Sequence, residues 1–147
     1  MRPIKNFDEF IRNGIVKKQS PDKSRAEFLI KEAEISLEGL KERLEKIGIN
    51  DKNANSIIKD CYDILMELIR AKMLLEGYNA SGQGAHEAEV SYMKPLGFSE
   101  AEIQFADQMR YFRNGIVYYG KMLDKEYAEK VVKYTKKNYL KLKEILK

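Results

Sequence analysis

Residues 54–76, ANSIIKDCYDILMELIRAKMLLE, carry the broadest apolar face of this 147-residue chain and decide its fold class. One stripe at helical spacing contains Ala54, Ile58, Cys61, Leu65, Leu68 and Leu75, and Ile57, Ile64, Met66, Ile69, Met73 and Leu74 widen it. Residues three and four apart share a face of a helix, so a stripe this wide indicates burial on several sides. We predict a central helix here, capped by Asp51 or Asn53.

The helix before it is predicted over residues 21–47, where apolar residues recur at alternating steps of four and three. That spacing suits nearly antiparallel packing in a bundle. Ser20 is expected to cap this helix and Pro21 to occupy its first position, where the missing N–H does no harm. Gly48 is expected to end it.

Two short helices are predicted over residues 7–18 and residues 85–93, the second stopped by Pro95. Residues 77–84, which contain several glycines and small polar residues, are typical of a flexible loop. No segment alternates between apolar and polar residues with a period of two, which favours helices over a sheet of three or more strands.

The last two long helices have the clearest boundaries. Ser99 and Glu102 match a capping box at the start of one, Gly120 closes or kinks it, and Asp124 caps the next. Every long segment thus has an apolar stripe. The sequence predicts a single all-α domain over residues 1–147, an antiparallel up-and-down bundle of four principal helices plus one or two short helices.

Composition excludes several kinds of site. A single Cys excludes an intramolecular disulfide, and a single His, His86, excludes a His-rich zinc site and a diiron site. We therefore expect neither a metal nor a cofactor. His86 follows the glycine-rich loop at a helix start, which favours a helix-end or loop-anchoring histidine. Nothing resembles a signal peptide or a membrane span, so we expect a cytoplasmic protein without membrane association.

Positive charge is concentrated at the C-terminus. The formal net charge is +4, and from Gly120 onward there are nine lysines and four acids. Lys133 and Lys137 lie among Tyr134 and Tyr139 in the last helix, a mixture that can bind phosphates and stack bases. The simpler alternative is an amphipathic helix with a solvated lysine face.

Arg113 falls within the apolar stripe of the fifth helix, between Ala106 and Val117. A buried guanidinium is destabilising by several kcal/mol unless it is paired, and no acid within a turn faces it. Its partner must be a distant carboxylate, a second subunit or a bound anion.

Residues 113–120, RNGIVYYG, resemble the motif of HEPN domains, in which an Arg, a polar residue and then a His lie late in an antiparallel helical bundle. Arg113 and Asn114 match the first two positions, and Tyr118 stands where the His is expected. The resemblance extends from residues 6–10 to the terminal helix and is closest to archaeal members.

In HEPN proteins a homodimer joins the motif residues of both subunits in one cleft, and active members cut RNA without a metal. The resemblance therefore implies a homodimer, RNA or a nucleotide as ligand, and a minimal nucleotidyltransferase as partner in a toxin–antitoxin-like system. Tyrosine, with a pKa of about 10, is a poor base near neutral pH, although it can donate a hydrogen bond to an oxyanion. We expect a catalytically degenerate module that binds RNA, a nucleotide or a partner. The alternatives are a metal-independent ribonuclease with altered chemistry and a helical dimer without a ligand.

Arg113 and Tyr118 are the candidate catalytic residues, and we expect them to line one cleft at the dimer interface. Asn114, Tyr119, Lys133 and Lys137 are the candidate binding residues. In some HEPN toxins a Tyr two positions after the His is modified with AMP. Here that position is Gly120, and Tyr118 and Tyr119 lie two residues and one residue before it. The alternative is that both tyrosines are packing residues with their hydroxyls at the surface. Apolar or aromatic residues off the main stripe, including Phe105, Tyr111 and Phe112, are expected at a subunit interface.

Overall fold

The computed structural model describes residues 3–147, which form six helices and two short strands. In chain order these are α1 (Phe7–Arg12), β1 (Val16–Lys18), α2 (Lys23–Lys46), α3 (Ala54–Leu75), β2 (Tyr78–Ala80), α4 (Ala85–Ser91), α5 (Glu100–Tyr119) and α6 (Lys125–Ile145). The predicted all-α bundle is confirmed, with α2, α3, α5 and α6 as the principal helices and α1 and α4 as the short ones.

Helix α3 is the centre of the bundle, as its wide apolar face predicts. It packs against α2, α5 and α6, and most of its side chains are buried. Polar contacts show that the helix ends meet: Arg43, late in α2, binds Asp60, early in α3, at 2.6 Å. Asn55 of α3 accepts a hydrogen bond from the Leu123 amide and donates one to the Lys121 carbonyl, both between α5 and α6. The direction of the chain therefore alternates from one principal helix to the next.

Strands β1 and β2 correct two predictions. The first helix ends at Arg12 rather than continuing to residue 18, and residues 78–80 of the predicted loop pair antiparallel with residues 16–18. These hydrogen bonds join segments about sixty residues apart, which no local pattern reveals. Gly77, at φ +84°, permits the pairing, because a Cβ there would lie 2.6 Å from the Gln19 carbonyl oxygen.

The start of α2 also differs from the prediction. Asp22, rather than Ser20, caps the helix by accepting a hydrogen bond from the Arg25 amide at 3.1 Å. The Gln19 and Asp22 amides donate to carbonyls at the end of α3 and just after it, so this segment is held by tertiary contacts before the helix begins. Pro21 consequently lies outside the helix.

The remaining helix boundaries agree with the sequence. Ser99 and Glu102 form the capping box of α5, Gly120 ends that helix at φ +63°, and Asp124 caps α6. Asn53 is at the N-cap of α3, although its side chain bonds to the preceding turn instead of the helix. Within residues 3–147, no helix is both long enough and apolar enough to cross a membrane.

Candidate functional site

Arg113 lies on the side of α5 that faces α3. Its side chain is 24% exposed, and its Nε is 3.9 Å from Oδ1 of Asp63, a carboxylate on α3. That distance is an ion pair but too long for a hydrogen bond, and in the described part of the chain the buried Nε has no hydrogen-bond partner. Of the three partners considered for Arg113, the structure supplies a distant carboxylate, and it leaves part of the guanidinium unsatisfied.

The C-terminal end of α5 exposes a group of large side chains to solvent. Five large apolar or aromatic side chains are exposed over a dozen residues, a group that we call the aromatic end of α5: Tyr111, Val117, Tyr118, Tyr119 and Met122. Tyr118 is 69% exposed and Tyr119 is 87% exposed. Val117 was predicted in the buried stripe, but it is 45% exposed.

A cation lies against this end of the helix. Lys121 Nζ is 4.6 Å from the ring centroid of Phe112 and 5.6 Å from that of Tyr111. Asn114, half-buried, lies between those rings and the exposed tyrosines along the sequence. Within one chain, Arg113 faces α3 whereas Tyr118 faces outward, so a cleft lined by both requires a second subunit.

Two of the aromatic residues for which a subunit interface was predicted are half-buried against α6. Phe105 contacts Tyr134 at a centroid distance of 4.4 Å, and Phe112 contacts Tyr127 edge-on at 5.0 Å. These contacts join α5 to α6. Tyr111 is the one of the three that remains mostly exposed.

On α6 the structure separates lysines from tyrosines. Lys133 and Lys137 are exposed, whereas Tyr134 is packed against α5 and donates a hydrogen bond to the Glu102 carbonyl at 2.5 Å. Burial raises the pKa of Tyr134. Tyr134 is therefore not free to stack on a base, and α6 presents the lysine face that the simpler alternative describes.

A cavity of about 590 Å³ opens between α2 and α3 and is closed at one side by α4. Its apolar wall includes Leu29, Leu40 and Met66, and its ionisable side chains are Glu32, Arg43, Asp60, Asp63, Glu67, Arg70 and His86. A volume of this size is typical of small-molecule sites. The cavity thus contains the single imidazole of the sequence.

Behind this cavity, His86 and Arg70 converge on Glu89, whose side chain is 4% exposed. Arg70 donates two hydrogen bonds to the carboxylate, at 2.7 and 3.1 Å, and His86 Nδ1 lies 3.3 Å from it. Burial by itself would raise the pKa of Glu89, but the hydrogen bonds from His86 and Arg70 outweigh it and lower the pKa. The carboxylate is therefore ionised and holds both partners in place.

The predicted role of His86 as an anchor was incomplete. The residue does bond within its own short helix, to Glu89, but it also lines the cavity with half of its side chain exposed. Two signals in the sequence pointed to this cluster: Glu89 lies between the apolar residues Ala88 and Val90, and Arg70 interrupts the apolar face of α3. Each is a charge that needs a partner once it is buried.

Comparison with known protein families, with curated proteins and with solved structures gives no match for this chain. Within residues 3–147, no three His, Cys, Asp or Glu side chains lie close enough together to hold a metal ion. Two regions of the molecule bear on function: the aromatic end of α5 and the cavity.

Proposed function

We propose that this protein is a HEPN-like module that binds RNA or a nucleotide without cutting it, through the aromatic end of α5. The observation that carries this proposal is the exposure of Tyr111, Tyr118 and Tyr119 close to a lysine in a chain that is otherwise highly charged. Exposed rings stack on bases irrespective of sequence, each with a gain of about 1–3 kcal/mol.

Electrostatics favour the same ligand. Lys121 lies over Tyr111 and over the half-buried ring of Phe112. The exposed lysines of α6, including Lys133 and Lys137, add positive charge. Lysines that meet a phosphate backbone release counterions, so binding should weaken as salt increases. The Arg113 side chain is 24% exposed and has only a long contact with Asp63, so its guanidinium also contributes positive charge.

A homodimer and a minimal nucleotidyltransferase partner belong to the same proposal, by resemblance to HEPN proteins. The exposed apolar area at the aromatic end of α5 supports a protein contact there, since large exposed patches commonly mark interfaces. Light scattering at micromolar concentration tests the dimer. A monomeric mass would exclude a cleft formed by Arg113 of one subunit and Tyr118 of the other.

RNA binding is tested by fluorescence anisotropy with a labelled single-stranded RNA of about ten nucleotides. The Tyr118→Ala/Tyr119→Ala double variant should weaken binding at least about tenfold, because two stacking platforms are lost. The matched control is Leu140→Ala, which removes an equally exposed apolar side chain from α6. Equal affinity of the double variant and the wild type would refute binding at this end.

A metal-independent ribonuclease is the second candidate, and the position of His86 favours it. An imidazole held through Nδ1 by a buried carboxylate has Nε2 available for proton transfer. The ribonuclease is the second candidate because four acids line the same cavity and would repel a phosphate: Glu32, Asp60, Asp63 and Glu67.

Cleavage of total RNA in the presence of EDTA separates the two candidates. A ribonuclease that uses the cavity should lose activity in His86→Ala and keep it in Tyr118→Phe, whereas one that uses the HEPN motif should lose activity in Arg113→Ala and Tyr118→Phe. Intact RNA with the wild-type protein is the result expected of a binding module.

A further inference from the structure

Helix α2 exposes two large apolar side chains on one face. Its buried residues, such as Leu37 and Leu40, pack toward α3, whereas Phe28 is 62% exposed and Ile35 is 52% exposed. Phe28 and Ile35 are seven residues apart, so they share a face of the helix that differs from the buried one. They form an exposed apolar pair on the outer side of α2.

Gly39 lies on the same face, one turn beyond Ile35. Its φ is outside the left-handed region, and a Cβ at this position would meet no atom within 4 Å in the described part of the chain. Glycine inside a helix is less favourable than alanine, because its backbone loses more conformational freedom on folding. Neither the backbone nor the packing of residues 3–147 therefore requires a glycine here. A second helix that packs closely on α2 would require one, because the distance between packed helices depends on the side chains at their contact.

Polar residues extend this face along most of α2. Six residues at alternating steps of four and three form what we call the outer seam: Phe28, Glu32, Ile35, Gly39, Glu42 and Lys46. This spacing is typical of helices that pack side by side in a coiled coil. Since three members are charged, the outer seam favours a weak and reversible contact over a permanent one.

Two antiparallel copies of α2 bring large residues opposite small ones. In the register that places Phe28 of one copy opposite Gly39 of the other, the ring fills the space that the glycine leaves. Gly39 and Ser36 also line the cavity of about 590 Å³ between α2 and α3, so room for a ring exists beside them. A parallel pair would instead place Phe28 opposite Phe28 and glycine opposite glycine, which leaves a void.

The charges beside the outer seam favour the same antiparallel register. Lys31 and Glu38 lie on one side of the seam, both are exposed, and within residues 3–147 neither has an ion pair. In the antiparallel pair, Lys31 of each copy approaches Glu38 of the other, so a two-fold axis produces two such contacts. Exposed ion pairs add little affinity, but they discriminate between registers.

We propose that α2 packs antiparallel against α2 of a second copy of this chain, with Phe28 of each molecule beside Gly39 of the other. The contact differs from the homodimer expected by resemblance to HEPN proteins, because that dimer would join Arg113 and Tyr118 of α5. It does not depend on the binding of RNA or a nucleotide.

Sedimentation equilibrium at protein concentrations up to about 1 mM tests the proposal. The wild type should self-associate, and Lys31→Glu and Glu38→Lys should each weaken self-association at least about fivefold, because both symmetric contacts become repulsive. An equimolar mixture of these two variants should associate about as strongly as the wild type, since each contact between them again joins opposite charges. A monomeric wild type, or a mixture that associates no more strongly than the separate variants, would overturn the proposal.

Gly39→Gln separates the contact from the stability of the fold. Glutamine favours helices and the space at this position is open, so the urea midpoint of unfolding should be unchanged or higher while self-association is lost. Lys41→Gln, at an exposed position of α2 off the outer seam, is the matched control and should associate like the wild type. The Tyr118→Ala/Tyr119→Ala double variant should also retain the contact. Self-association that persists in Gly39→Gln, or that is lost in the double tyrosine variant, would exclude α2 as the interface.

Discussion

The aromatic end of α5 and the cavity beside α3 differ in how their polar and apolar groups are arranged. At the aromatic end, large rings are exposed to water, and the ion pair of Arg113 with Asp63 spans 3.9 Å. Beside the cavity, Glu89 is buried and held by Arg70 at 2.7 Å. The first region is open to a partner, and the second is held rigid by ionic contacts.

The comparison shows why a sequence motif and a built site need not coincide. Arg113 and Tyr118 stand out because they are close in sequence, but they point to different sides of one helix. His86 attracts less attention in the sequence, yet contacts from two other residues fix its ring. A rigid scaffold positions chemical groups, and here Glu89 and Tyr62 contact the buried side of His86.

The largest expected effect is on the buried ion pair. Glu89→Gln should lower the free energy of unfolding by about 3 kcal/mol, because Arg70 then lacks its charged partner in a buried environment. Urea unfolding measures it. The control is Glu87→Gln, which changes a partly exposed acid of the same helix and should alter stability by less than about 0.5 kcal/mol. Equal losses of unfolding free energy in the two variants would show that the Glu89 ion pair contributes no more to stability than an exposed acid does.

The pH dependence sharpens this first result. The pKa of Glu89 is lowered in the folded protein, so its stabilising contribution is complete above the unfolded value of about 4.3 and is lost as pH falls through the folded value. We expect the stability difference between wild type and Glu89→Gln to be constant between about pH 6 and 8 and to shrink below about pH 4. A constant difference down to pH 3 would contradict an ionised Glu89.

A smaller effect is expected at Arg113. Arg113→Met should change the free energy of unfolding by less than about 1 kcal/mol, since its contact with Asp63 is long and half of the Asp63 side chain is exposed. Arg12→Met, at an exposed arginine, is the reference variant. A loss of unfolding free energy near 3 kcal/mol would show that Arg113 stabilises the fold as Arg70 does. The two regions would then not differ in the strength of their ion pairs.

The smallest effect is expected at the exposed tyrosines. Tyr118→Ala and Tyr119→Ala should each change stability by no more than about 0.5 kcal/mol, because neither ring is packed in the core. Thermal unfolding at two protein concentrations is the measurement. A marked loss that depends on concentration would mean that these rings are buried between subunits.

Local patterns predicted the elements that depend on neighbours in sequence. The capping box at Ser99, the glycine end of α5 and the cap at Asp124 were all predicted correctly, because each relies on hydrogen bonds within a few residues. The central position of α3 also followed from sequence, since a helix with apolar residues around most of its surface must be surrounded.

The candidate site was less predictable. Sequence indicated that Arg113 needs a partner but not which one, and Asp63 became that partner only through the packing of α5 on α3. The sequence predicted an interface for Phe105 and Phe112, whereas in the structure each ring packs against a tyrosine of α6. A helical stripe tells which face is buried but not which helix buries it.

The sequence by itself therefore determined the fold class, the four principal helices and most of their ends, because these follow from periodicity and from contacts between neighbours. Tertiary structure alone decided the pairing of β1 with β2, the start of α2 at Asp22, and the meeting of Arg70, His86 and Glu89 beside the cavity. The strand pairing, the hydrogen bond from the Asp22 amide to the Leu74 carbonyl and the Arg70–Glu89 ion pair each join groups distant along the chain. Their stabilising free energy comes from hydrogen bonds and ion pairs that form only when the helices have packed.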